Sequence, residues 1–196
     1  MKTSKVNFTS NIRFVDSLAF AKELDKLPSK KYVDSPWKVK NIVRGISSYT
    51  DDVRDCTAGG VLTNNKNNGF DIIMFHLNST DEENLSFTAV ENKIFEKLGK
   101  DKPLEGFLIG SQSAWDDSIE LFAKMEAFIQ RLKVPYSKFQ GSIINQDINA
   151  AYHGESDMWT IFYSALEKSH GRPPREKIFS SFDKIIISKK DRLWTQ

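Results

Sequence analysis

An α/β (α+β) fold, with a mixed and mainly antiparallel sheet and flanking helices, is predicted by three features of this sequence. Stretches with apolar residues every three or four positions alternate with short β-branched or aromatic runs. Two pairs of those runs are joined by turn formers, as in hairpins. The length of 196 residues and a hydrophobic content of 39% suit one domain, 1–196, with a substantial core. A single layered unit is therefore expected.

The first element predicted is a helix from Val15 to Leu27, capped by Asp16, with Leu18, Ala21, Leu24 and Leu27 on one face and Pro28 at its end. Residues 29–37 read as a surface crossing. Val39 to Ile46 alternates loosely and fits a strand or a short helix. Thr57 to Thr63 and Phe70 to Leu77 read as two strands joined by the turn formers of Asn64 to Gly69. Asn78 to Ser86 reads as an exposed loop. Thr88 is expected to cap a helix over Ala89 to Leu98, which Gly99 stops.

Leu104 to Ile109 suits a buried strand. The longest helix is predicted to follow, opened by an S-x-x-D capping box of Ser113 and Asp116 and ended by Pro135. Its apolar stripe of Ile119, Leu121, Phe122, Met125, Phe128, Ile129 and Leu132 is read as core packing, and Trp115 as a staple of the helix start. Tyr136 to Gln140 is a strand candidate. Asn149 to His153 and Met158 to Tyr163 flank Gly154–Asp157 as a second hairpin. A loop with Gly171, Pro173 and Pro174 precedes a last strand, Lys184 to Ser188. No internal repeat or low-complexity segment interrupts the chain.

Charge and cysteine usage narrow the chemistry. The 28 basic and 26 acidic residues are interspersed, so no broad basic face for nucleic acid is expected. No apolar run approaches the ~18 residues of a membrane span, and the first residues lack a leader's apolar core, so synthesis as a cytoplasmic protein is expected. One cysteine excludes an internal disulfide or a multi-cysteine zinc site. None of the three histidines shares close ligand spacing with another, so neither metal nor cofactor is expected.

The one cysteine, Cys56, lies just before the first strand of the first hairpin, and His76 near the end of the second. If Thr63 and Gly69 close the hairpin, Cys56 stands directly opposite His76, with Cβ atoms about 4.5–5.5 Å apart. Gly59 and Gly60 could host a bulge that shifts this register. An imidazolium beside a thiol favours the nucleophilic thiolate and can then protonate a leaving amine, so the pair suits attack on a carbonyl carbon. Thr57, Ala58 and the two glycines offer close backbone approach for an oxyanion. Asp51, Asp52 and Asp55 act against thiolate formation. A lone cysteine is also commonly a small buried hydrophobe, and a histidine ending an apolar strand is commonly structural. His153 and His170 are placed in turns.

Cysteine at the start of one strand and histidine at the end of the next resembles the glutamine deamidases of the chemotaxis protein CheD type. The cytotoxic necrotizing factor and Burkholderia lethal factor toxins share that plan. Thr50, six residues before Cys56, matches a threonine of CheD and the lethal factor. Phe107-Leu108-Ile109-Gly110-Ser111, the long helix and Lys138-Phe139-Gln140-Gly141 resemble CheD's strand, helix, strand passage. The resemblance covers about residues 40–165; the N-terminal helix, about 15–27, and the C-terminal segment, about 171–196, stand outside it as additions. The glycine-rich run that precedes the cysteine in CheD is replaced here by Asp52-Val53-Arg54-Asp55, and the hairpin turn is longer.

The resemblance implies a CheD-like fold and a cysteine-dependent protein glutamine deamidase, with Cys56 as nucleophile, His76 as acid and base, and Thr50 orienting the imidazole. Gln140 is the other candidate for that third place. An exposed site acting on a folded protein is expected, and the toxins suggest an effector that reaches a host protein without a cleaved signal. The same acyl-enzyme would support transglutamination. The expectation from a different class is an inert binding protein, an adaptor or immunity-type partner, marked by a buried Cys56 and a large exposed apolar patch.

Overall fold

The computed structural model describes residues 11–33, 42–66, 69–78, 86–112, 116–141 and 148–163. Strands β1 (Asn11–Val15), β2 (Lys31–Tyr32) and β4 (Ser47–Val53) join the later hairpin β9 (Ile148–His153) and β10 (Met158–Tyr163) in one sheet, ordered β1-β10-β9-β4-β2. Strand β3 (Val43–Gly45), the hairpin β5 (Thr57–Asn64) and β6 (Phe70–Leu77), β7 (Pro103–Gln112) and β8 (Tyr136–Gly141) form a second, ordered β3-β6-β5-β7-β8. The single sheet expected is thus two mixed sheets among the described residues, with parallel pairs β1–β10, β2–β4 and β7–β8.

The two sheets face each other across one apolar core. Ile72, Met74, Leu62 and Phe107 of the second sheet meet Tyr152, Trp159 and Ile161 of the first. Phe107 stacks on Trp159 with ring centroids 3.9 Å apart. The alternate residues of β6, Ile73, Phe75 and Leu77, point the other way, into a core shared with helices α2 (Phe87–Leu98) and α3 (Asp116–Arg131). Both faces of this sheet are covered, which is why β6 reads as a near-continuous apolar run rather than an alternating one. Helix α1 (Ser17–Lys26) covers the outer face of the first sheet through Phe20, Leu27, Ala151 and Phe162. The layers therefore run helix, sheet, sheet, helices.

Several local expectations are corrected. Val15 belongs to β1, and α1 starts at Ser17 because Asp16 accepts from the Ala19 N–H at 2.7 Å. The buried face of α1 is Phe20, Leu24 and Leu27, while Leu18 is 64% exposed; packing against Phe162 selects that face. Of the strand and the short helix left open over Val39 to Ile46, the strand is found at Val43–Gly45, which pairs antiparallel with Met74 to Ile72. Thr88 lies inside α2, whose N-cap is Ser86. Ile119 of α3 is 38% exposed, and Ser118 takes the buried place beside it. Ser113, Trp115, His170 and the strand expected over 184–188 lie outside the described residues.

Candidate functional site

Strand β4 runs in the first sheet, and its register against β9 shifts between Thr50 and Val53. Asp52, within that bulge, has a positive φ of 53° and donates its N–H to Asn149 Oδ1 at 2.8 Å. The chain then bends through 54–56 and enters β5 of the second sheet. Cys56 thus sits where the chain passes from one sheet to the other, and the bulge sets the path into it.

The register of β5 and β6 differs from the one expected. Asn64 and Phe70, not Thr63 and Gly69, close the strands, because Asn65 donates its N–H to Gly69 O at 2.9 Å and so tightens the turn. His76 therefore faces Ala58 rather than Cys56. The slip is two residues, and an even slip keeps every side chain on its face. Cys56 lies in the same inter-sheet core cluster as Ala58. It precedes Thr57, the first paired residue of β5, and so lies just outside the ladder, two residues before the partner of His76. Gly59 and Gly60 host no bulge. Their absent Cβ atoms make room for Phe107 O and Ile72, so they serve sheet packing rather than substrate approach.

Thr50 reaches across from the first sheet. Its Oγ1 lies 2.7 Å from His76 Nδ1 and 2.6 Å from Val33 O. A hydroxyl carries one proton, and the Val33 carbonyl can only accept, so Thr50 donates to Val33 and accepts from Nδ1–H. The neutral ring then holds its proton on Nδ1 and its lone pair on Nε2. Val33 is itself tied down, its N–H donating to Tyr49 O at 2.9 Å. Val33, like Ser118 below, is a contributor that the sequence did not single out; a backbone carbonyl leaves no mark in a sequence.

The acidic residues near Cys56 divide. Asp51 accepts from the Tyr32 hydroxyl at 2.7 Å, and Asp52 pairs with Arg54 at 2.7 Å, both at the exposed surface. Asp55 Oδ1 accepts from the Cys56 thiol at 3.8 Å, a contact that favours S–H over S⁻. The bend itself is clamped from two sides. Ser118 of α3 donates to Asp55 O at 2.6 Å. From β7, Gly110 at φ +125° approaches so closely that a Cβ there would collide with Cys56 O.

Cys56, His76 and Thr50 are 6%, 4% and 1% exposed, so the site is recessed between the sheets and not the open one expected. Gln140 pairs with Gly110 through β8, and its side chain lies outside the described part. His153 ends β9 and accepts from Ser156 N at 3.4 Å, away from these groups in the register. Among the described residues, no cluster of His, Cys, Asp and Glu is arranged to hold a metal ion, and no helix is long and apolar enough to cross a membrane. The chain matches no protein-family model and no curated protein.

Proposed function

We propose that this chain is a cysteine-dependent amidohydrolase that converts glutamine side chains of a protein substrate to glutamate. One observation carries the reading: the hydrogen-bond run from His76 Nδ1 through Thr50 to Val33 O leaves Nε2 as the basic nitrogen on the face that Cys56 shares. Nε2 takes the thiol proton, and Sγ attacks the carboxamide carbon. The tetrahedral oxyanion collapses, the C–N bond breaks, and ammonia leaves with the proton from Nε2. Water, deprotonated by the same nitrogen, then opens the thioester and releases glutamate and the thiol. Thr50 and Val33 hold the ring throughout.

The CheD-like arrangement of cysteine, histidine and threonine supports glutamine as the substrate and a folded protein, in the toxins' manner a host protein, as its carrier. A recessed thiol suits a carboxamide at the end of a slender side chain. An amine in place of water would give a transglutaminase.

The burial of Cys56 favours a second reading, an inert binding protein in which thiol and imidazole only fill the core. Incubation with a cell lysate separates the two. The deamidase makes each modified glutamine about one mass unit heavier and one charge more negative, releasing ammonia without isopeptide cross-links. Cys56→Ser abolishes the change. Identical lysates from wild type and Cys56→Ser, with the same partner captured by both, would establish the binding protein.

A further inference from the structure

The hydrogen bond from Ser118 to the Asp55 carbonyl has a directional consequence. Ser118 is fully buried on α3, which packs on the outer face of the second sheet, opposite the core that holds Cys56. Its 2.6 Å bond therefore turns the Asp55 C=O toward α3. No peptide in the described chain is cis, and in a trans peptide the following N–H points opposite to the C=O. The Cys56 N–H is thus directed away from α3, to the side on which the thiol lies.

We infer that Ser118 is a positioning residue for acyl transfer: by holding the Asp55–Cys56 peptide, it aims the Cys56 N–H at the oxyanion formed when Sγ adds to a carbonyl. This rests on the deamidase reading and adds to it a donor for the negative oxygen. Gly110 supports the same geometry, because any side chain there would push on Cys56 O and rotate the bend.

Two small electrophiles separate this role from a merely structural one. p-Nitrophenyl acetate acylates a thiol through a tetrahedral oxyanion and releases nitrophenolate. Iodoacetamide alkylates by displacement at an sp³ carbon and forms no oxyanion. In Ser118→Ala, acylation of Cys56 in the full-length protein should fall about tenfold or more, within reach of the effect of removing one oxyanion donor, while the alkylation rate and its pH profile stay unchanged. Ser118→Thr, which keeps the hydroxyl, should restore acylation. If the alanine variant does not melt cooperatively, the isosteric pair Ser118→Thr and Ser118→Val reads the same contrast. Equal slowing of both reagents, or of neither, overturns the inference while leaving the deamidase reading intact. A wild type that is not acylated, with alkylation indifferent to His76→Ala, overturns both.

Discussion

At Thr50 one hydroxyl satisfies two buried partners on different elements, and this makes it the most informative residue to change. Thr50→Val keeps the shape and leaves Val33 O and His76 Nδ1 without that hydroxyl. A buried group deprived of its partner costs about 1–3 kcal/mol, and a domain of this size loses roughly 2–4 °C of melting temperature per kcal/mol. The variant should therefore melt several degrees lower and acylate more slowly, while Thr50→Ser recovers both. A Val variant as reactive as wild type would mean that the ring needs no such support. The thiol is read separately. Alkylation of wild type should inflect below the ordinary thiol value of about 8.5, and His76→Ala should move the inflection toward it. An unchanged inflection would leave Cys56 as a core residue beside Asp55.

At the scale of elements, Arg44 ties three together. From β3 it pairs with Asp71 of β6 at 2.9 Å and with Asp101 at 2.7 Å, and donates to the last carbonyls of α2 at Lys97, 3.0 Å, and Leu98, 3.5 Å. Those carbonyls have no partner within the helix, and a cation beside them also meets the negative end of the helix dipole. Arg44→Met keeps the apolar stem and should cost about 1–3 kcal/mol, read as a lower melting temperature and faster hydrogen exchange in the last turn of α2. Arg44→Lys should recover little of it, since an ammonium cannot reproduce the planar fork. Asp101 is half exposed, so its share should shrink with salt. Recovery by lysine would show that charge alone matters. Where β7 meets the bend, Gly110→Ala should be more disruptive than its size suggests, because both its φ and the Cys56 carbonyl oppose a Cβ.

For the whole molecule, the decisive contact is between the sheets, since Thr50 comes from one and His76 from the other. The Phe107–Trp159 stack joins the two sheets within that interface. Trp159→Ala should cost about 3–5 kcal/mol, or roughly 6–20 °C in melting temperature. Below the transition, acylation of the folded variant should still be slowed, because loosened sheets no longer hold Thr50 within hydrogen-bonding distance of the ring. Undiminished acylation in a folded Trp159→Ala protein would mean that the site does not depend on the sandwich.

Elements whose signal is local were legible in the residues alone. The periodicity of α3, the strands β5 and β6 with turn formers between them, the β9–β10 hairpin and the glycine stop of α2 all lie close to where the residues place them. The same reading singled out Cys56 and His76, while Thr50 came from the family resemblance, and the structure brings Thr50 onto His76. Long-range packing settled that the described residues form two sheets, that Ser47–Val53 is a strand, and that His76 faces Ala58 rather than Cys56. Strand β4 was illegible because its buried residues include Ser47, Ser48 and Thr50, polar groups whose burial depends on partners elsewhere in the chain. The two-residue register slip was set by the Asn65–Gly69 turn, a backbone choice to which several sequences are indifferent. The Val33 carbonyl and the Ser118 hydroxyl became neighbours of the site through sheet and helix packing. Local periodicity determines which face a side chain takes; which atom it meets there is determined by contacts between residues distant in the chain.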